Sequence, residues 1–225
     1  MSCALGVLIS GGGSNLQAII ERIEQGALQA DLRLVVSNRP DAYGLQRAAA
    51  HSIPSVVLQQ EAFISREEHE RAVAEALEQA GVEAVALAGY MRLVSGDFIE
   101  RFNGRVLNIH PALLPSFKGL EAQKQAVEYG VRIAGATVHF VDQELDHGPI
   151  IIQAAVPAPQ GCSGPELAER ILQLEHRIYP QALQWQAAGR LEVRGGQTHL
   201  HGRLEEADTS SIEPCLINPC LETGF

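Results

Sequence analysis

Five short apolar runs, residues 4–9, 32–36, 55–58, 84–87 and 106–109, each give way to a stretch with helical spacing, as in residues 15–23 and 66–79. Runs of this length suit strands rather than helices. Parallel neighbours need a crossover long enough to hold a helix, so strand and helix in strict alternation leave one economical solution: a parallel sheet covered on both faces. An α/β fold is predicted, Rossmann-like, with a mostly parallel central sheet and helices on both faces. In the helix predicted over 66–79, Ala72, Ala76 and Ala80 recur four apart against Glu67, Glu68, Glu70, Arg71, Glu75 and Glu78, and Gly81 is a suitable terminator. That helix belongs to an outer layer.

The pattern changes at Gly135. Residues 136–141 and 150–156 read as two strands joined by the polar connection 142–148, and a long helix follows from Ser163 to Ala187. The second half of the sheet is therefore mixed. Periodicity stops after about residue 195, so one domain is expected over 1–195 and a flexible tail over 196–225.

Composition narrows the function. With 225 residues, 46% of them hydrophobic and 20% charged, the chain can bury a substantial core. Its formal charge of −10 supplies no field for nucleic acid, so an anionic ligand must be held by a local site. The first apolar run has no basic flank and is too short for a membrane span, which points to a cytoplasmic protein with no membrane partner. Cys3, Cys162, Cys215 and Cys220 form no CxxC pair and read as free thiols, not as a disulfide framework or a zinc site.

Two segments carry chemistry. The first run is followed directly by Ser10-Gly11-Gly12-Gly13-Ser14-Asn15, opening a helix. Glycines let a ligand approach the backbone, and the free N–H groups of a helix start favour a phosphate. The spacing is not the dinucleotide fingerprint, because its third glycine would fall at Leu16, and no P-loop lysine follows. A monophosphate suits it; so does a tight turn in which Ser14 merely caps the helix.

The fifth strand ends Asn108-Ile109-His110-Pro111. Two residues apart in extended chain, Asn108 and His110 point to one side, and Pro111 stops an inner strand, so an amide and an imidazole converge where open α/β sheets place ligands. The connection Asp142-Gln143-Glu144-Leu145-Asp146-His147-Gly148-Pro149 offers acidic partners. An aspartate beside His110 would favour the imidazolium, and with Asn108 that cation could stabilise the oxyanion formed when an amine attacks a carbonyl. Taken singly, the histidine also suits a structural hydrogen bond and the acidic loop a solvated surface. His110, Asp142, Asp146 and His147 match no recognised metal spacing, so no metal is expected.

Several ordered blocks together resemble the glycinamide ribonucleotide formyltransferases over residues 5–193: Ile9-Ser10-Gly11-Gly12-Gly13-Ser14-Asn15-Leu16-Gln17-Ala18-Ile19, Ser37-Asn38-Arg39, Leu87-Ala88-Gly89-Tyr90-Met91-Arg92, Asn108-Ile109-His110-Pro111-Ala112-Leu113-Leu114-Pro115, Thr137-Val138-His139-Phe140-Val141 and Gln173-Leu174-Glu175-His176-Arg177-Ile178-Tyr179-Pro180. The resemblance implies the formyltransferase fold, with 10-formyltetrahydrofolate as co-substrate and the amine of glycinamide ribonucleotide as acceptor. It implies Asn108, His110 and Asp146 as the catalytic trio. Gly13, Ser14 and Asn15 would hold the phosphate, and Glu175 the glycinamide portion. Arg66, Met91, Arg92, Leu93 and Val94 would line the folate site together with Asn108 and with Asp142, Gln143, Glu144, Leu145 and Asp146. Residues 1–105 would then carry the ribonucleotide phosphate site and 106–195 the folate site and catalytic residues. A monomer or a homodimer is expected. Where the family commonly has a histidine after the Gly-Leu of its flexible loop, this chain has Glu121.

Overall fold

Strand β1 (Cys3–Ile9) is buried at every position from Ala4 to Ile9, which requires cover on both of its faces. In the computed structural model, which describes residues 2–202 and 215–225, β1 lies between β2 (Ala30–Ser37) and β4 (Ala84–Leu87), parallel to both. Strand β3 (Ser55–Val57) extends the sheet beyond β2, and β5 (Val106–His110) extends it beyond β4, again parallel. Strands β6 (Ile133–Phe140), β7 (Ile150–Pro157) and β10 (Leu216–Asn218) then add antiparallel, giving the order β10-β7-β6-β5-β4-β1-β2-β3. The sheet is parallel through its first five strands and mixed beyond them, as the sequence predicts.

Alternate strand residues feed two cores. Val7, Ile9, Leu107 and Ile109 pack with residues of α1 (Ser14–Glu24), α2 (Tyr43–Ala50), α5 (Ala122–Tyr129) and α6 (Gly164–Ala187). On the opposite face Leu8, Val85, Leu87 and Val106 pack against α3 (Arg66–Gln79) and α4 (Gly96–Arg101). Helix α3 has the predicted bounds, but its buried face is His69, Val73, Ala74 and Leu77, with Ala72, Ala76 and Ala80 only on its flank. The larger side chains take the core side. The long α6 begins in a capping box between Ser163 and Glu166. Its fully buried Tyr179 hydroxyl lies 3.0 Å from both Leu87 O and Leu107 O, tying the helix to β4 and β5.

Strand β6 starts three residues before its predicted start because Gly135 lies inside it. A Cβ there would sit 1.9 Å from Ala154 O, so glycine permits close approach of β7 where the sequence suggested a break.

The expected tail over 196–225 is corrected for the described residues. Strands β8 (Leu191–Arg194) and β9 (Gln197–Leu200) form a hairpin whose two turn residues, Gly195 and Gly196, have φ of 57° and 78°, as a two-residue hairpin turn requires. Further on, β10 pairs with the otherwise open edge of β7, and Leu221 and Phe225 enter the core. Buried Gln181 receives Glu222 N at 2.6 Å and donates to Cys220 O at 3.0 Å, while Arg190 pairs with Glu222 at 2.8 Å. Residues 203–214 of the expected tail lie outside the described residues. Cys3, Cys162, Cys215 and Cys220 form no disulfide among the described residues. No helix among the described residues is long and apolar enough to cross a membrane.

Candidate active site

Between β1 and β4 the chain leaves the sheet in opposite directions, the arrangement that opens a crevice at the carboxyl ends of parallel strands. One hydroxyl ties this point together. Ser10 Oγ donates to Asn38 Oδ1 at 2.6 Å and accepts from Met91 N at 2.9 Å, joining the chain ends that emerge from β1, β2 and β4.

On the β1 side, Gly13 rather than Ser14 is the N-cap of α1, with φ of 68° in the left-handed region. The first intrahelical donor is Gln17 N, to Gly13 O at 2.9 Å, so the N–H groups of Ser14, Asn15 and Leu16 precede the helical ladder. The three glycines are not equivalent. A Cβ at Gly13 would lie 2.6 Å from Gly44 Cα, whereas at Gly11 or Gly12 it would meet nothing within 4 Å. The fold itself requires Gly13; the open space over Gly11 and Gly12 leaves backbone accessible to a ligand. Asn15 Nδ2 donates to Glu175 Oε2 at 2.7 Å across α1 and α6, and the Asn15 Oδ1 atom is buried without a partner. Burial pushes the Glu175 carboxyl above the usual carboxylate range, with the Asn15 hydrogen bond opposing in part. The structure thus brings Asn15 and Glu175, 160 residues apart, into direct contact beside Gly13 and Ser14.

On the β5 side, the side chains of His110 and Asp146 are 6% and 8% exposed, with Nδ1 and Oδ2 3.4 Å apart. The other imidazole nitrogen, Nε2, is 2.8 Å from Phe117 O. Both ring nitrogens therefore face acceptors, an environment satisfied by a proton on each. Asp146 Oδ2 also accepts from Gly119 N at 2.8 Å, and Asp146 Oδ1 lies 3.5 Å from Asn108 Nδ2. Amide, imidazole and carboxylate meet in space. Asp146 takes a left-handed φ of 46°, and Gly148 approaches β6 so closely that a Cβ there would lie 2.0 Å from Phe140 O. These two backbone features fold the 142–148 connection back over β5. His147 instead faces Asp142 at 2.7 Å on the surface, away from His110.

A residue to which the sequence assigned no role completes this corner. His139 is paired in register with Asn108 across β5 and β6. Its Nδ1 is 2.8 Å from Phe140 O and its Nε2 is 3.3 Å from Asn108 Nδ2. Burial, the largest influence, lowers the imidazole pKa against the raising effects of Phe140 O and Asp146. The neutral ring, donating from Nδ1, then accepts from Asn108 and orients its amide. His139 Nε2 is also 3.8 Å from Asp146 Oδ1, but the depressed pKa argues against an ion pair there. Strand alternation could place His139 on the Thr137 face; only the register identifies its partner.

The outer wall gathers most of the remaining candidates. Arg66, Arg92, Leu93 and Val94 line a cavity of about 10 Å³ with Tyr90, whose pKa is pushed up to about 12 by burial. Arg66 Nη2 donates to Leu93 O at 3.0 Å. Met91, Leu93 and Leu145 expose large apolar side chains, while Val94 is buried in the α3–α4 core. Gln143 packs against Gly96 at the start of α4, and Glu144 N donates to Asp142 Oδ1 at 3.0 Å. Glu121 is exposed, with a φ of 56°, and pairs with Lys124 at 3.4 Å rather than entering the His110 corner. Among the described residues no group of three or more His, Cys, Asp and Glu could hold a metal ion.

The fold is that of an α/β enzyme, with an amide, an imidazole and a carboxylate gathered at the carboxyl end of β5. Residues 4–183 match the family described as Formyl transferase. The chain is 43% identical over 197 residues to the phosphoribosylglycinamide formyltransferase of Escherichia coli (strain K12), covering 88% of this chain and 93% of that protein. It is 46% identical over 187 residues to the trifunctional purine biosynthetic protein adenosine-3 of Gallus gallus, covering 83% of this chain and spanning only 19% of that relative. Among solved structures, glycinamide ribonucleotide transformylase 1 from Symbiobacterium toebii superposes with a TM-score of 0.88 at 48% identity, covering 89% of this chain and 95% of that one. The chain belongs to the formyl transferase family.

Proposed function

We propose that the protein transfers the formyl group of 10-formyltetrahydrofolate to the amine of glycinamide ribonucleotide, giving the formylated ribonucleotide and tetrahydrofolate in purine biosynthesis. The observation that carries this reading is the convergence of Asn108, His110 and Asp146 at the carboxyl end of β5. The similarity to phosphoribosylglycinamide formyltransferase over nearly the whole of both chains supports the choice of substrates. The phosphate belongs at Gly13, Ser14 and Asn15, the glycinamide portion near Glu175, and the folate along Arg66, Met91, Arg92, Leu93 and Val94 with the 142–146 segment. Residues 1–105 supply the phosphate site, and residues 106–195 most of the folate site and the catalytic groups. The protein works in the cytoplasm as a monomer or homodimer.

Transfer is direct. The neutral amine attacks the formyl carbon, and the tetrahedral oxyanion takes hydrogen bonds from Asn108 Nδ2 and from the His110 Nε2–H, which otherwise faces Phe117 O. Asp146 keeps His110 oriented and charged, and helps carry the proton lost by the attacking amine to the departing folate nitrogen. Collapse of the intermediate breaks the bond between formyl carbon and folate nitrogen. No covalent intermediate with the enzyme forms.

The test mixes purified protein with glycinamide ribonucleotide and 10-formyltetrahydrofolate and follows deformylated folate by absorbance. Product that requires both the ribonucleotide and His110 supports the transferase. Product formed without the ribonucleotide would make the protein a hydrolase, and ribonucleotide binding without turnover would make it a non-catalytic binder.

A further inference from the structure

The phosphate loop is held from outside by α2, and the holding groups are specific. Gly44 N donates to Gly11 O at 3.0 Å, and Gly44 is the residue whose backbone would collide with any Cβ at Gly13. Three residues further along α2, on the same face, Arg47 Nε donates to Gly12 O at 2.9 Å. Its Nη1 lies 3.3 Å from Gln17 Oε1, and its guanidinium carbon sits 5.0 Å from the centre of the Tyr43 ring. The loop carbonyl, the α1 amide and the aromatic face together fix the plane of the guanidinium.

Beside this arginine a cavity of about 400 Å³ opens from Ser14 between α1, α2 and α6, lined by Gln17, Arg22, Arg47, His176 and Arg177 among others. Glu21 is the one carboxylate in its lining. The His176 Nε2 atom there is buried without a partner, and burial lowers the pKa of that imidazole, so the wall's cationic charge resides in the arginines. A chain of formal charge −10 offers a phosphate dianion no general attraction, which leaves local cations to supply it. Of the three arginines lining the cavity, Arg47 is the one bonded to the glycine loop.

We infer that Arg47 is a binding and positioning residue for the phosphate of the acceptor substrate: it holds the Gly12 carbonyl, as Gly44 N holds that of Gly11, and presents its guanidinium beside Ser14. This rests on the reading of Gly13, Ser14 and Asn15 as the phosphate site. Catalysis at His110 is untouched by it, so the signature is a change in the ribonucleotide KM alone.

The experiment compares wild type with Arg47→Gln and Arg47→Lys in two measurements, steady-state kinetics with each substrate varied and the shift of Tm produced by inorganic phosphate. Loss of a charge-assisted contact should raise the ribonucleotide KM of Arg47→Gln about tenfold or more, with kcat and the folate KM within about twofold of wild type. The phosphate-induced rise in Tm should vanish in Arg47→Gln, and Arg47→Lys should fall between. An unchanged ribonucleotide KM with an intact phosphate response overturns the inference. So does an equal loss in both variants with a lower unliganded Tm, since that would make Arg47 a loop brace and nothing more. If the wild type lacks ribonucleotide-dependent turnover, the transferase reading fails by itself, and the phosphate response still decides for or against Arg47.

Discussion

The two corners of the site recognise their ligands by opposite means. At β5 the work falls to side chains: an imidazole, a carboxylate and an amide, drawn from β5 and the 142–148 connection, meet at short range, with Asp146 3.4 Å from His110 and 3.5 Å from Asn108. At β1 it falls largely to backbone, and the sequence contributes by omission, with open space over Gly11 and Gly12 and a left-handed Gly13 packed on Gly44. Proton transfer needs groups that titrate, and only side chains do. Anion binding needs convergent N–H groups, which every helix start already has. Substitutions at the first corner should therefore strike rate, and those at the second, affinity and local stability.

The sharpest test is Asp146→Asn. Asparagine tolerates the left-handed φ of 46° and can still accept from Gly119 N, so the fold should persist and the unliganded Tm should stay near wild type. Its neutral amide no longer stabilises a charged His110, and kcat should fall by roughly 10²–10⁴ with little change in the ribonucleotide KM. Full turnover in this variant, measured by the folate absorbance assay, would remove the carboxylate from the mechanism.

Gly13→Ala probes the opposite corner. The added methyl meets Gly44 Cα at 2.6 Å in a backbone region that L-residues rarely adopt. A cost of about 1–3 kcal/mol in denaturant unfolding is expected, with a raised ribonucleotide KM and a nearly unchanged kcat. If kcat fell as steeply as in Asp146→Asn while KM held, the division between backbone and side-chain recognition would be wrong.

That division also explains what the sequence could reveal. Strand and helix alternation was legible because each run is short, apolar and followed by helical spacing, and the exact bounds of α3 follow from Ser65, which caps it, and the charged face beyond. The convergence of Asn108 with His110 was legible because period two is a local property. The role of His139 was not, since it depends on which residue of β6 stands opposite Asn108, and register is set by the whole sheet. The ordered chain end was missed for a related reason. Leu221 and Phe225 form no periodic pattern, yet they enter the core beyond β10, which covers the otherwise open edge of β7. The Gly195-Gly196 hairpin, by contrast, had a local signal: two glycines between segments of alternating character.

His139 offers a finer cut at the first corner. In His139→Leu, Asn108 Nδ2 loses its nearer acceptor at 3.3 Å and keeps only Asp146 Oδ1 at 3.5 Å, so the amide is held less firmly with its nitrogen toward the oxyanion. A drop in kcat of about tenfold, equivalent to ~1.4 kcal/mol of barrier, is expected, with partial recovery in His139→Gln, whose side-chain oxygen can accept. Equal rates for the leucine and glutamine variants would make His139 a packing residue without influence on Asn108.

The smallest effect is also the one that tests how strictly the second corner relies on backbone. Glu175 is a buried carboxylate whose pKa is raised by burial, with one hydrogen bond from Asn15. A raised pKa means that the folded state keeps its proton where the unfolded state has lost it, so stability falls as pH rises from the ordinary glutamate range through the raised value. Glu175→Gln keeps an acceptor for Asn15 and carries no charge to bury, so the variant should escape that fall. Its Tm advantage over wild type should be near zero at about pH 4 and grow as the pH rises above the ordinary glutamate range, at roughly 2–4 °C for each ~1 kcal/mol. The ribonucleotide KM should move the other way and rise, because the carboxylate that strains the empty site is the group expected to meet the glycinamide portion. Stability and affinity changing in opposite senses would mark Glu175 as a charge held for a ligand. A variant neither more stable at high pH nor weaker in binding would remove Glu175 from ligand recognition.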